Sequence, residues 1–331
     1  MSVLGIPTPG VASLSRTHTS WEDLPLQTRR AVEDLVGQVQ SARTISVGRN
    51  AQLSCVLRTS QAVLFAKGVP SNHRGVGTQR NEALVGAHLE GISPKVLHHL
   101  DTGEWNILLF DHFDGRPADL TQRSPDFRLL EPLLERVLAK DARNIPGVLP
   151  VVERWAHLST NLDFSLLSGS SLIHPDLNRG NILIGKSQSM LVDWALPGQG
   201  AAWINLAFFT FFLMNEGWPP AQAESWVNRF RAWKEADPHA IRTFVTALTR
   251  RRSEQASSAP QLRRMERLRQ ERLALEWLQH RTATYSISMT GMPYLLKPNV
   301  GTGQSTTTYS DFSELVEAKA PSGKILEAPT D

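Results

Sequence analysis

The chain has 331 residues, 41% of them apolar and 20% charged, with a formal net charge of +3 and one cysteine, Cys55. This length suits about two domains or one bilobal domain, and so mild a charge requires no nucleic-acid partner. One cysteine excludes an internal disulfide framework and a cysteine metal cluster, so Cys55 is expected to be a small buried residue.

Residues 1–19 are rich in Pro, Gly, Ser and Thr and read as a flexible segment. No basic run precedes an apolar core there, so a secretory signal is not expected. Ser20 and Asp23 have the spacing of a helix cap, with Pro25 in the first turn and Ala31, Val32, Leu35 and Val36 as its apolar face. Strands follow at 44–47, 53–57 and 62–66, the last ending on Lys67, with turns at Gly48-Arg49-Asn50 and at 58–61. Residues 68–78 have four glycines or prolines and no period, and read as a loop. A helix is predicted over 79–89, with Glu82 near its start, where the helix dipole favours an acid. Strands at 92–100 and 105–110 surround the turn Asp101-Thr102-Gly103, and the pattern breaks at 111–115.

From residue 117 the chain is predicted to be helical, first over 128–142 with a 3.6-residue apolar stripe, then over 151–162. The stretch that names a chemistry comes next, over 172–194. It places His174, Asp176 and Asn181 on one polar loop, followed by the apolar run 182–184, a small polar turn, the run 190–192, and Asp193-Trp194. Two short apolar runs around a polar turn predict a β-hairpin. Its closed ends would set Asn181 beside Asp193, an oxygen pair suited to Mg²⁺, which takes few protein oxygens and completes its shell with phosphate. Asp176 on the same loop is free to orient a hydroxyl. The apolar stretch 203–214 contains Asn205 and is too short to span a bilayer, so it reads as a buried helix and no membrane partner is expected. Helices over 218–233, 238–249 and 261–281 follow, with a polar break at 253–260, and the basic face of 250–281 reads as a solvated surface. Residues 298–331 read as a flexible tail.

The spacing His174-x-Asp176-x-x-x-x-Asn181, with Asp193 after the hairpin, resembles the catalytic loop and metal-binding Asp of the protein-kinase superfamily. Asp193-Trp194 in place of Asp-Phe-Gly is similar to the aminoglycoside phosphotransferase and choline kinase branch. The resemblance covers about residues 40–285 and implies an α+β, bilobal protein-kinase-like fold with a small β-rich N-lobe and a larger helical C-lobe. The implied limits are a nucleotide-binding N-lobe at 20–112 and a helical C-lobe at 113–297 carrying the catalytic loop and acceptor site. It further implies that Lys67 holds ATP phosphates and that Glu82 pairs with it, Glu90 being the fallback. Gly48 and Asn50 would cover the phosphates, and Phe110, Asp111 and Phe113 would form the hinge beside adenine. Asn181 and Asp193 would hold Mg²⁺, Asp176 would be the base, and His174 would support the loop. Gly115-Arg116-Pro117 resembles a run common after the hinge.

Departures are visible too. Pro175 stands where relatives often have Gly, Arg179 where several have Pro, and Asn205-Leu206-Ala207 where many carry Asp-Leu-Ala. In the family that residue braces the catalytic loop; Asn still accepts a hydrogen bond but has no charge. About ten residues separate Asp193 from the next helix, with no Ala-Pro-Glu, which disfavours a protein acceptor. The expected activity is transfer of the γ-phosphoryl group of ATP to a hydroxyl of a small antibiotic or metabolite in a cytoplasmic enzyme. The alternatives are a silent kinase-like nucleotide binder and a kinase acting on a protein. Between Gly200 and Pro298 there are fourteen Lys and Arg against eight acids, an excess of six that lends no support to a polycationic substrate.

Overall fold

The structure, a computed structural model, describes residues 19–45, 51–158 and 161–290. Gly48 and Asn50, almost all of the N-terminal segment and the whole 298–331 tail lie outside the described residues.

The N-terminal part is a five-stranded antiparallel sheet in the order β1-β2-β3-β5-β4. Its strands are β1 (Ser41–Thr44), β2 (Leu53–Arg58), β3 (Val63–Pro70), β4 (Val96–Asp101) and β5 (Trp105–Asp111). Side chains alternate across a strand, so Leu53, Cys55 and Leu57 share one face with Ala66, Trp105, Ile107 and Leu109. Helix α1 (Leu26–Val36) covers that face through Val32, with Trp21 and Leu24 from the preceding turn. Burial there pushes the Cys55 thiol up to about 12, which makes it a packing residue. Lys67 belongs to the opposite face, beneath helix α2 (Val76–Gly86).

Three local expectations shift. Ser20 and Asp23 bond to each other in a turn ahead of α1, which starts only after Pro25, and Leu35 is exposed. Strand β3 runs three residues past Lys67, because Gly68 to Pro70 continue pairing with Ile107 to Trp105. Helix α2 starts three residues earlier than predicted and buries Val76, Gln79, Glu82 and Val85, whereas Leu84 faces solvent. A polar residue pair on the buried face hid the true register from an apolar-period reading.

The larger part is helical. Helix α5 (Trp203–Asn215) is apolar all round, and every residue from Trp203 to Met214 is buried. Around it lie α3 (Phe127–Leu138), α6 (Pro220–Val227), α7 (Arg231–Lys234) and α8 (Pro238–Ser257), while α4 (Val151–Trp155), shorter than the expected 151–162, carries Trp155. Edge-to-face contacts of Trp155, Trp203 and Phe208 with their neighbours, including Phe244, fill the interior. The expected polar break is confined to 258–260, since α8 continues to Ser257 before α9 (Gln261–Thr290) begins. Two small sheets frame residues 172–194. The first pairs β6 (Arg116–Pro117), β9 (Ile182–Ile184) and β10 (Ser189–Leu191); the second pairs β7 (Leu149–Pro150), β8 (Ser171–Ile173) and β11 (Gly198–Gly200). The stretch after Asp193, read as a loop, is thus partly a strand. It can approach so closely because Gly169 has no side chain; a Cβ there would lie 2.5 Å from the Ala201 backbone. Among the described residues no helix is long and apolar enough to cross a membrane.

Candidate active site

The predicted hairpin is present, with Ile182 opposite Leu191 and the Val192 N–H donating to the Asn181 carbonyl at 2.8 Å. Asn181 therefore faces Val192, and Asp193 follows directly. Asp193 has φ +68°, a left-handed conformation costing a non-glycine residue about 1 kcal/mol or more. The surroundings enforce it. Trp194 is buried, donates its indole N–H to the Leu191 carbonyl at 3.0 Å, and sets its ring edge-on to His174 at 4.6 Å.

Lys67 ties the two halves of the molecule together. Its Nζ lies 2.6 Å from Glu82 Oε2 and 2.7 Å from Asp193 Oδ1. Burial works against the ammonium, but two carboxylates at contact outweigh it and hold its pKa above the ordinary value. Burial pushes the Glu82 carboxyl up, and Lys67 pulls it the other way. Glu90, the fallback partner, is exposed. Two neighbours of this cluster gave no sequence signal. Gln79 donates to the Lys67 carbonyl at 2.7 Å, and Asn81 donates to the Ala195 carbonyl at 3.2 Å, so α2 grips both strand and hairpin exit. Polar residues on a buried helix face could have been noticed once the helix start was right.

On the His174–Asn181 loop, Asn181 Nδ2 donates to Asp176, at 2.8 Å to its carbonyl and 3.2 Å to Oδ2. His174 is buried beneath them. Its Nδ1 accepts the Asp176 N–H at 3.2 Å, so Nε2 carries the proton and donates to the Val192 carbonyl at 3.1 Å. The neutral ring is fully satisfied, and burial lowers its pKa below the ordinary 6.5. The unfolded chain then takes up this proton first, so stability is lost as pH falls below about 6.5. Urea unfolding of the wild type between pH 7 and 5 is expected to show a steeper acid loss than that of His174→Gln; equal slopes would contradict this neutral-ring assignment.

Asn205 holds the loop with both ends of its amide. Its Oδ1 accepts the His174 N–H and its Nδ2 donates to the Leu172 carbonyl, both at 2.9 Å and fully buried. The loop is braced on both sides by a neutral side chain. An Asp here would turn an ionised oxygen on the Leu172 carbonyl. Asn205→Asp is expected to cost about 1–3 kcal/mol in chemical denaturation at pH 7, and to recover toward acid pH.

The hinge candidates Phe110, Asp111 and Phe113 lie at the end of β5 and just beyond it. Leu108 is the residue in register with Lys67, and Phe110 lies farther along β5, 6.2 Å ring to ring from Phe65. The Asp111 and His112 N–H groups are taken by the Lys95 and Val63 carbonyls. The Phe113 ring lies over Gly115 and Gly185, where a Cβ would come within 2.6 and 2.7 Å of it. Just beyond, Arg116 forks onto the buried carboxylate of Asp126 with two 2.6 Å bonds, fastening the connecting segment to α3.

A small β-rich part and a larger helical part, joined near a lysine, a hairpin and an acid-bearing loop, make the fold protein-kinase-like. No protein-family model matches the chain, and no curated protein matches it in sequence. Solved structures do match. Aminoglycoside phosphotransferase APH(4)-Ia superposes with TM-score 0.52 at 10% identity, over 81% of this chain and 99% of that one. Choline kinase LicA from Streptococcus pneumoniae gives 0.50 at 13%, over 76% and 98%. Spectinomycin phosphotransferase APH(9)-Ia, in complex with ADP and spectinomycin, gives 0.50 at 13%, over 77% and 98%. The fold is that of the aminoglycoside phosphotransferases and choline kinase.

Proposed function

We propose that the protein is an ATP-dependent phosphotransferase acting on a hydroxyl of a small molecule. The observation that carries this reading is Lys67 held between Glu82 and Asp193 while Asp176 and Asn181 share the adjoining loop. In the transfer, the P–O bond between the γ-phosphoryl group and ADP breaks and a new P–O bond forms to the acceptor oxygen. The acceptor proton passes to Asp176 and on to solvent. Lys67 meets the nucleotide phosphates, and Glu82 keeps its ammonium extended. Backbone groups after His112 are the candidates for the adenine edge.

Asn181 and Asp193 supply hard oxygens, and among the described residues no set of three or more His, Cys, Asp or Glu competes as a metal cage. Two protein oxygens plus phosphate suit Mg²⁺, which would neutralise charge on the transferring group. Solved neighbours bind ADP with hygromycin B or with spectinomycin, which favours a small acceptor over a protein. The short, strand-forming connection after Asp193 favours it also. The test is incubation of the full chain with Mg-ATP and a panel of hydroxylated small molecules, with product mass read directly. A gain of one phosphoryl mass on an acceptor is expected; failure to bind ADP at all would sink the reading.

A further inference from the structure

The basic 250–281 stretch is not simply a solvated surface. Arg252, on α8, is 8% exposed and lies over the Phe211 ring of α5, its guanidinium carbon 4.7 Å from the ring centre. Arg267, on α9, is partly exposed and turns to the same place. Both guanidiniums donate to the same two neutral oxygens. Arg252 Nη1 reaches Gln255 Oε1 at 2.9 Å and Gln270 Oε1 at 3.4 Å, and Arg267 Nη1 reaches them at 3.2 and 3.0 Å. Among the described residues neither has a carboxylate within ion-pair distance, and the buried Arg252 Nε has no hydrogen-bond partner. Glu271, on the same helix as Arg267, accepts from the Ser253 hydroxyl instead.

Two like charges drawn together by shared amide oxygens repel, and burying one without a counter-ion is unfavourable. Such an arrangement is suited to receive an anion, because an oxyanion facing two guanidiniums gains charge-assisted bonds and cancels the repulsion. The helix that carries Arg267 also approaches the His174–Asn181 loop. Arg269 of α9 donates to the Asn215 carbonyl at 2.6 Å, and the next residue, Glu216, faces Arg179 of the loop at 4.0 Å. Phe211, which Arg252 covers, lies one helical turn before Asn215 on α5.

Resting on the phosphotransferase reading, we infer that Arg252 and Arg267 form an acceptor subsite for an oxyanion, so that the molecule phosphorylated is a hydroxylated carboxylate or phosphate monoester rather than a cation. The pair would anchor the anionic end and leave the hydroxyl toward Asp176.

The test uses the full chain with Mg-ATP and five probes: D-glycerate, glycerol 3-phosphate, glycerol, choline and spectinomycin. Transfer is expected to one or both anionic probes, and which one separates carboxylate from phosphate. Arg267→Gln, at a partly exposed position, is expected to raise the KM for that probe about ten-fold or more, with Arg267→Lys intermediate and thermal unfolding little changed. Arg252→Gln is expected to do the same if it folds. Transfer only to glycerol, choline or spectinomycin would overturn the subsite while leaving the enzyme reading intact, as would anionic transfer indifferent to Arg267→Gln. If no probe is phosphorylated, calorimetry with the two anionic probes decides. Binding lost in Arg267→Gln supports the subsite, and no binding overturns it. Absence of ADP binding, measured in parallel, would instead indict the phosphotransferase reading.

Discussion

Lys67→Met is expected to abolish measurable phosphoryl transfer and to destabilise the fold at the same time. Methionine fills nearly the same space, so the change removes charge more than volume. It leaves Glu82, with a side chain 5% exposed, facing Asp193 with no cation between them. Removing one partner of a buried ion pair typically costs about 3–5 kcal/mol. Relief is available, since burial already pushes the Glu82 carboxyl up and loss of Lys67 pushes it further. A carboxyl raised in the folded state binds its proton there more readily than in the unfolded chain. Stability is then retained at acid pH and lost as pH rises through the folded pKa. The variant should therefore lie closest to wild type near pH 5 and farthest from it near pH 8 in urea unfolding. The double variant Lys67→Met, Glu82→Gln should regain part of the stability and none of the activity. A pH-independent loss, or full stability in the single variant, would show that the three groups do not act as one buried cluster.

This cluster also marks how far the sequence could be read. Asp176, Asn181 and Asp193 were legible because hairpin and loop are local, and a three-residue strand either side of a polar turn leaves few other arrangements. The Lys67–Glu82 contact spans a β-strand extension and a helix start that periodicity does not reveal, and the pair is legible only through family position. Gln79 and Asn81 had no comparable pointer and were missed. The Arg252 cluster was illegible for a different reason. A run of arginines reads as a wet surface unless the packing partner is known, and Phe211 lies 41 positions away in the chain. Similarly, the strand Gly198–Gly200 has no apolar alternation to announce it; it exists because β7 and β8 leave a slot that small residues can enter.

Asp176→Asn is expected to lower kcat by about 10²–10⁴-fold, the range for loss of a general base, with little effect on ADP affinity or stability. The carboxylate is exposed and takes part in no ion pair within 4 Å among the described residues. Its structural tie is the 3.2 Å bond it accepts from Asn181 Nδ2, which an Asn oxygen can also accept. The main-chain bonds of residue 176, from its N–H to His174 and from Asn181 to its carbonyl, do not involve the side chain. The loop should therefore keep its shape, and the loss falls on proton acceptance. Asp176→Ala, which also removes the bond to Asn181, should lose at least as much while keeping nucleotide affinity. If Asp176→Asn kept kcat within about three-fold of wild type, proton transfer would not be limited by this group. Asp176 would then act only in orienting the acceptor, and KM rather than kcat would carry its effect.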